Sequence, residues 1–461
     1  MTKTLLFETD WLASTPVFYD LARRAASTSI QEVTPKRCAH VFHPEGLYNF
    51  FDFGYSVLGQ TPLANVQFLR HSSRLWRSDD GAIEVETLPD PFERYDSYRL
   101  SEPDVIELIR ERVQAWESTL PADHEIVLPL SGGFDSRLLL WCLRDPSRVR
   151  AYTYGLSEDQ GSSTEVVHAQ ALAERFGLRW EQVPLGDFHR YFDDWDAIFG
   201  ISTHAHGMYH FEFYNKIRRT LKGKHAFLSG IIGDAWAGSI KQLEVERPDQ
   251  LISLGYTHGL RADPIHLHLP GQHDLRDTFW SEHRERLADD RFKIVTSMRF
   301  KLMLLSYLLR VPRLFGFESW SPYLDIDIAM AMLNLPPERR ANRQWQRDFF
   351  AKEGLDLESQ GLVSTGQNNL NFQALRRVPL RRLDRNLLER IIDPTYVDWI
   401  NRNALISRTG DLRRRLAGVH KVGGALRRVG LAPPPTLEAY CAYLCLRPIE
   451  NGLRCHLVDH S

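Results

Sequence analysis

Residues 126–140 read Ile-Val-Leu-Pro-Leu-Ser-Gly-Gly-Phe-Asp-Ser-Arg-Leu-Leu-Leu, and this stretch decides the fold. Residues 125–130, which are apolar after Glu125, predict a short strand. A glycine turn follows over 131–136, and the second apolar run predicts a helix from about Ser136 to Leu143 that ends before Pro146. The sequence therefore indicates a strand that enters a helix through paired glycines.

A turn of this kind can bind phosphate. Backbone N–H groups at the start of a helix point toward one spot, where the helix dipole also favours negative charge. Ser131 and Ser136 add hydroxyl donors, and Asp135 adds a carboxylate suited to Mg²⁺ beside a phosphate. The pattern resembles the SGGxDS pyrophosphate loop of the ATP pyrophosphatase superfamily and lacks the GxxxxGK[ST] of a Walker A loop. The alternative interpretation is an ordinary glycine turn after a strand.

The bulk composition is that of an ordinary soluble protein. A chain of 461 residues is long enough for two or three domains. A net charge of −2 gives no reason to expect a nucleic-acid partner. No apolar run reaches the roughly 18 residues of a membrane span, and Glu8 and Asp10 interrupt any signal-peptide core. The expected location is the cytoplasm.

Residues 1–100 predict a separate β-rich unit. Residues 51–59 carry β-type residues with glycine breaks. Residues 67–78 alternate, Asp79-Asp80-Gly81 reads as a hairpin turn, and residues 82–87 alternate again as the partner strand. The sequence therefore predicts an N-terminal β-rich domain over residues 1–100, ahead of the region that contains the glycine turn.

From residue 101 onward, strands and helices alternate, which is the signature of a parallel sheet. The predicted strands after 125–130 are 150–154, 180–183 and 226–230, and the predicted helices include 164–176 and 211–221. A second glycine-rich loop, Ser-Gly-Ile-Ile-Gly-Asp over 229–234, follows the last of these strands. Because ligands bind at the carboxyl ends of parallel strands, Asp135 and Asp234 are expected to share one Mg²⁺.

The remainder of the chain divides into three parts. Residues 240–300 lack clear α/β alternation and predict an insertion or covering segment within a synthetase domain of residues 101–360. Helical character returns over 295–309, and an extended stretch over 316–325 precedes a helix over 326–333. Residues 361–461 predict a helical, arginine-rich extension, whose arginines form either solvated faces or a contact with an acidic partner.

Four stretches carry a resemblance to the asparagine synthetase family, over roughly residues 50–360. Residues 131–136 match its pyrophosphate loop, and 229–234 fall where the family has SGEGxDE. Residues 318–325 resemble its ExRxPFLD stretch, and 335–347 its LPxE and KxxLR segments. The resemblance implies an α/β fold: an adenine-nucleotide α-hydrolase-like parallel sheet flanked by helices, preceded by a reduced β-rich glutaminase-like domain and followed by a helical region.

The family's chemistry assigns roles to matching residues. A carboxylate attacks the α-phosphorus of ATP, and an amine then attacks the acyl adenylate to give an amide and AMP. By resemblance, ATP and Mg²⁺ are the cofactors, Asp135 and Asp234 bind the metal, and Arg343 stands where the family has a phosphate-stabilising lysine. The pyrophosphate would be held by Ser131, Gly132, Gly133, Asp135 and Ser136. Adenine would border the backbones of Pro129 and Tyr154, and Gly230 would border the ribose or the α-phosphate.

Three departures limit the resemblance. The family's glutaminase uses cysteine at position 2, whereas this chain has Thr2 and no cysteine before Cys38, so no glutamine hydrolysis is expected. The amine-handling glutamate of SGEGxDE is replaced by Ile231, at the position where β-lactam synthetases have tyrosine. The second glutamate is replaced by Ala235. Glu318 is a candidate replacement base, with a structural role as its alternative.

The leading hypothesis is an ATP-dependent amide-forming ligase that uses ammonia or a substrate amine. Its carboxylate substrate would be a small molecule, a peptide or a saccharide, as in lasso-peptide cyclases, β-lactam synthetases and surface-polysaccharide proteins. A nucleotide-binding scaffold is the rival hypothesis, and a tRNA-modifying enzyme is disfavoured. A pathway partner protein or a homodimer is also considered. Among the histidines at 204, 206 and 210, His206 and His210 have the i, i+4 spacing of a metal-binding pair, but no third ligand is apparent, so polar loop and helix-start positions are expected instead. No paired CxxC spacing supports a zinc site at Cys455-His456.

Overall fold

The stretch 126–140 lies at the centre of a five-stranded parallel sheet. A computed structural model describes residues 3–34, 41–221, 223–240, 244–256, 259–269, 273–406, 408–417 and 434–454. Within these residues, the strands are β1 Lys3–Glu8, β2 Phe18–Asp20, β3 Ala25–Ser27, β4 Gln67–Phe68, β5 Ser73–Ser78, β6 Ile83–Thr87, β7 Glu125–Pro129, β8 Val149–Thr153, β9 Arg179–Gln182, β10 His225–Leu228 and β11 Phe317–Trp320.

Helices surround the parallel sheet and form the C-terminal region. In chain order they are α1 Ile30–Val33, α2 Pro44–Phe53, α3 Glu102–Thr119, α4 Phe134–Cys142, α5 Thr164–Phe176, α6 Phe192–Phe199, α7 Tyr209–Thr220, α8 Gly233–Ala237, α9 Ile252–Gly255, α10 Asp274–His283, α11 Asp290–Leu305, α12 Tyr307–Leu314, α13 Ile326–Leu333, α14 Pro337–Arg340, α15 Gln344–Lys352, α16 Leu370–Arg377, α17 Arg385–Leu388, α18 Pro394–Asn403, α19 Arg408–Ala417 and α20 Thr436–Arg454.

The parallel sheet has the order β11-β10-β7-β8-β9. Ile126, Val127 and Leu128 of the central strand are fully buried, as expected for a strand covered by helices on both faces. Leu138 and Leu139 of α4 are also fully buried against it. The α/β fold class with a parallel sheet flanked by helices is thereby confirmed.

Several boundaries differ from the predictions. Helix α4 begins at Phe134, two residues earlier than predicted, because Gly132 turns the chain with a φ of +67°. The helical character predicted over 295–309 is provided by two helices, α11 and α12, which meet at Ser306. The extended stretch over 316–325 contains β11, which pairs in parallel with β10 as the fifth strand.

The N-terminal part contains two antiparallel sheets, β1-β5-β6 and β3-β2-β4. The predicted hairpin is confirmed, since β5 pairs with β6 across Gly81, whose φ is +81°. The β-type interpretation of residues 51–59 is wrong at its start, because 51–53 form the last turn of α2. His43 caps that helix by accepting a hydrogen bond from the Gly46 N–H, and Gly54 ends it with a φ of +82°.

Residues 240–300, which were predicted to be an insertion or covering segment, are largely helical where the structure describes them. They contain α9, α10 and most of α11. Arg276 of α10 donates to Asn49 Oδ1 at 2.7 Å and to Asp52 Oδ2 at 2.7 Å, and its side chain is almost completely buried. The segment is therefore anchored to α2 of the N-terminal part through a buried charged contact.

The C-terminal region is helical, as predicted. Glu450 of α20 is fully buried and accepts hydrogen bonds from Arg381, Arg447 and Arg454. Arg447 is thus buried with its partner, whereas Arg381 and Arg454 stay 40% and 41% exposed while pairing with the same buried carboxylate. Among the described helices, none has the length and apolar character needed to cross a membrane.

His189 connects α20 to the rest of the fold. Its Nδ1 donates to the Val378 carbonyl at 2.9 Å, so its Nε2 accepts from the Tyr440 hydroxyl at 2.7 Å. Burial lowers the pKa of His189 to about 4, which keeps the ring neutral at physiological pH. The predicted core position of Cys142 is confirmed by its complete burial, whereas Cys38, Cys455 and His456 lie outside the described residues.

Candidate active site

The loop over 131–136 packs closely against α5. A Cβ atom at Gly132 would lie 2.3 Å from the Cβ of His168, and the positive φ at this position already favours glycine. Gly133 is the N-cap of α4 and has no side chain to cover the first N–H groups of the helix. Glycine at these positions therefore leaves those N–H groups open to a bound group.

Two hydroxyls lie at the ends of the loop. The Ser131 and Ser136 Oγ atoms are 3.5 Å apart, and Ser131 Oγ accepts from the Gly133 N–H at 3.3 Å. Ser131 and Gly133 are both exposed. The sequence-predicted phosphate ligands are thus brought together around one exposed spot at the N-terminus of α4.

Arg137 holds the loop to the rest of the fold, a role that was not predicted from the sequence. Its fully buried guanidinium donates to the Gly132 carbonyl at 2.6 Å, to the Leu355 carbonyl at 2.9 Å and to both carboxylate oxygens of Glu358. It also lies 5.0 Å from the ring centroid of Phe134. The available signal was an arginine within an otherwise apolar helix, which needs buried partners.

The second loop reaches the first at Gly230. A Cβ atom at Gly230 would lie 3.4 Å from the Cβ of Asp135, so the two loops are adjacent there, and the Asp234 backbone donates a hydrogen bond to the Asp135 carboxylate. Ile232 has a left-handed φ of +55°, which is unusual for a β-branched residue and turns the chain into α8. Asp234 follows in the first turn of α8, where its exposed carboxylate accepts from Ser239 Oγ at 2.8 Å.

The charges of the two loops interact. Burial, together with the negative charge of Asp234, raises the pKa of Asp135 to about 7, although Arg343 and a hydrogen bond from the Asp234 backbone act in the opposite direction. A divalent cation with oxygen ligands would relieve this excess of negative charge, and two carboxylates plus substrate phosphates are a usual Mg²⁺ environment. The donor chemistry therefore fits Mg²⁺, while the described residues contain no group of three potential metal-ligating side chains.

Arg343 approaches the loop from another part of the fold. It donates a hydrogen bond to Asp135 Oδ1, and its Nε donates to Gln346 Oε1 at 2.7 Å. Asn342 and Arg343 have φ values of +51° and +60°, and two successive left-handed residues that are not glycine are strained. The local backbone thus places a guanidinium beside the predicted phosphate position.

A cavity of about 400 Å³ opens at the carboxyl ends of the central strands. Eight of the predicted site residues line it: Pro129, Ser131, Gly133, Asp135, Ser136, Tyr154, Gly230 and Asp234. Gly132 lies behind the lining, since it packs against His168. Most of the site residues predicted from the sequence therefore lie at one cavity.

The far wall of this cavity is aromatic and was not predicted. It is formed by Tyr209, His210, Phe213, Tyr214, Phe227 and Tyr307. The Tyr209 and Tyr307 hydroxyls are 3.0 Å apart, and burial raises the pKa of both, so both stay protonated at neutral pH. His210 is buried, and burial lowers its pKa to about 3.

Two of the three departures from the family pattern, Ile231 and Ala235, lie in or beside this cavity. Ile231 lines it and is 4% exposed, whereas Ala235 is 2% exposed within α8. Neither side chain can exchange a proton. The ionisable lining residues among those described are Asp135, Asp234, Glu165, His210 and the tyrosines, with no lysine or arginine.

Glu318 is not placed to act as a base here. It is the second residue of edge strand β11, it is exposed, and it is not among the residues that line the cavity. Side chains alternate along a strand, so the burial of Phe317 directs Glu318 to the other face. The candidate replacement base suggested by the sequence is thus separated from the loop.

The sequence model of the asparagine synthase family matches residues 108–352, which is just over half of the chain. The matched range contains both glycine loops and Arg343. A comparison with curated proteins finds no match.

Proposed function

This chain belongs to the asparagine synthase family, whose members are ATP-dependent amide-forming ligases, and we propose that it activates a carboxylate as an acyl adenylate. The observation that carries the proposal is the contact between the two strand-end loops at Gly230 and Asp135. It brings two carboxylates and an open helix N-terminus to one spot, as phosphoryl chemistry with a divalent cation requires.

In the first step, a carboxylate oxygen of the substrate attacks the α-phosphorus of ATP, and the bond from that phosphorus to the β-phosphate oxygen breaks. Pyrophosphate departs with its electron pair. The loop N–H groups, Ser131, Ser136 and Arg343 bind and orient the phosphates, since such transfers depend on positioning and charge stabilisation. Mg²⁺ bound by Asp135 and Asp234 would neutralise charge that develops on the phosphate oxygens.

In the second step, an amine attacks the acyl carbon, loses a proton and displaces AMP. The nitrogen comes from ammonia or from an amine on the substrate, without glutamine hydrolysis, because position 2 is Thr2. Residues 1–100 are accordingly a reduced glutaminase-like domain, residues 101–360 the synthetase domain and residues 361–461 a helical extension. An intramolecular amide, as formed by lasso-peptide cyclases or β-lactam synthetases, is one form of this reaction.

The test is AMP and pyrophosphate release from ATP and Mg²⁺ across a panel of small-molecule, peptide and saccharide carboxylates, with ammonium and with hydroxylamine. Substrate-dependent AMP formation that Asp135→Ala abolishes supports the proposal. Asp194→Ala, at an exposed position in α6, is the matched control. Absence of AMP across the panel, with ATP still bound, would refute it.

The rival function is a nucleotide-binding scaffold, which the burial of Ile231 and Ala235 favours because the acceptor side carries no acid at these positions. A scaffold would bind ATP without forming AMP under any condition of the panel. A separate assay addresses the N-terminal part: glutamate release from glutamine above that of Cys38→Ser would contradict the absence of glutaminase activity.

A further inference from the structure

A second, larger cavity lies beside the pyrophosphate loop. It has a volume of about 620 Å³ and is bounded by the end of α8, the start of α11, and the α14–α15 segment. Two residues connect it to the nucleotide cavity. Arg343 lines it while donating to Asp135, and Ser239 lines it while donating to Asp234 Oδ2. The two cavities therefore share the wall that carries both candidate metal ligands.

The charge of this second cavity is predominantly positive. Its lining contains four cations and two acids, which are Lys293, Arg340, Arg343, Arg347, Asp290 and Glu338. Lys293 pairs with Asp290 at 2.7 Å. Arg343 pairs with Asp135, as described above. The remaining two arginines decide what the cavity can bind.

Arg340 and Arg347 make no ion pair within the described part of the chain. Arg340 is only 9% exposed, and its single hydrogen bond there runs from Nε to the Leu335 carbonyl at 3.2 Å. Arg347 donates from Nε to the Asn342 carbonyl at 3.0 Å. Arg340 is buried near Asp290 and Asp289 without pairing directly with either, whereas Arg347 is exposed. Guanidinium donors that lack a carboxylate partner suit bidentate phosphate recognition.

We infer that this cavity binds phosphate groups through Arg340, Arg347 and Lys293, and that it receives the pyrophosphate released at the loop. The inference rests on the proposed function for the source of the anion. Pyrophosphate is the anion formed closest to this wall, because the loop and Arg343 would hold the β- and γ-phosphates. A phosphate group on the substrate would offer the same chemistry, and the experiment separates the two sources.

The first measurement is calorimetric binding of pyrophosphate to the full chain without ATP and without Mg²⁺. The expected result is that Arg340→Gln and Arg347→Gln each weaken binding about tenfold or more. The matched control is Arg339→Gln, because Arg339 is adjacent in sequence but pairs with Glu102 and Asp348 outside the cavity. Its affinity for pyrophosphate should stay within twofold of the wild type.

A gain-of-affinity variant keeps the test valid if a buried arginine variant fails to fold. Glu338 is exposed, lines the cavity and makes no ion pair within the described residues. Glu338→Gln removes a repulsive charge and should tighten pyrophosphate binding several-fold, more at low salt than at high salt. Unchanged affinity in Arg347→Gln and Glu338→Gln would overturn the inference.

The sources are separated by comparing pyrophosphate with glucose 1-phosphate as a probe of phosphate monoesters. Tighter binding of pyrophosphate, lost in Arg347→Gln, supports its assignment as the occupant, and tighter binding of the monoester overturns that assignment. Because these titrations need no turnover, they remain informative if AMP formation fails. Conversely, if the protein forms AMP but the arginine variants bind pyrophosphate as tightly as the wild type, the inference about this cavity is refuted and the proposed function stands.

Discussion

Replacing Arg137 with methionine removes the group that holds the pyrophosphate loop to the fold. Methionine fills much of the volume but donates no hydrogen bond. The Gly132 and Leu355 carbonyls each lose a charged donor, and a buried acceptor left unpaired costs about 1–3 kcal/mol. Glu358 is 35% exposed and regains water, so its share is small. Together these losses amount to about 3–5 kcal/mol, as for other buried pairs that lose one partner.

The assay is thermal unfolding, with and without ATP. For a unit of this size, 1 kcal/mol shifts the melting temperature by about 2–4 °C, so Arg137→Met should melt roughly 6–20 °C lower. Glu358→Gln is the comparison, because it keeps an acceptor oxygen and should cost about 1 kcal/mol or less. The ATP-induced shift should also decrease in Arg137→Met, since the Gly132 carbonyl is no longer fixed.

A melting temperature of Arg137→Met within 2 °C of the wild type would refute this reasoning. So would a larger loss in Glu358→Gln than in Arg137→Met, because it would mean that the carboxylate pair, rather than the two carbonyl contacts, carries the stability. An unchanged ATP-induced shift in folded Arg137→Met would mean that the loop binds ATP without the help of Arg137.

Three further changes test other parts of the structure. Gly132→Ala places a Cβ against His168 and should abolish the ATP-induced thermal shift. Arg343→Ala should lower the rate of AMP formation roughly hundredfold, and Arg343→Lys less, because lysine keeps the charge beside Asp135. Because burial keeps the pKa of His189 at about 4, the unfolded chain binds an extra proton between about pH 4 and 6.5, and stability falls as the pH drops through that window. His189→Gln should remove up to about 3 kcal/mol of this pH dependence in denaturation at pH 4.5 and 7.5.

The parts of the fold that follow from local pattern were predictable from the sequence. Residues 126–128 are a continuous apolar run because β7 is covered on both faces, and the glycines at 132 and 133 mark the turn. The rule that ligands lie at the carboxyl ends of parallel strands then brought Asp135 and Asp234 together. The structure places both at the same cavity.

The parts that depend on distant contacts were not predictable. Arg137 meets Glu358 across 221 positions of the chain, and no local periodicity encodes that pair. Residues 51–53 have β-type side chains, but the cap at His43 and the packing of α2 make them helical. The separation of Glu318 from the loop depends on the direction of a strand that the sequence had shown only as an extended stretch.

The burial of Ile231 and Ala235 bears on the acceptor half of the proposed reaction. Asp135 and Asp234 already place two carboxylates at the cavity, and the pKa of Asp135, about 7, reflects the cost of their charge in a buried setting. An acid at 231 would add a third negative charge at a position where the present side chain is only 4% exposed. Isoleucine avoids that charge but provides nothing to take a proton from an ammonium ion. The acceptor amine of the proposed reaction therefore has to arrive neutral or lose its proton to a group other than residue 231, and the Tyr209 and Tyr307 hydroxyls lie on the wall of the same cavity.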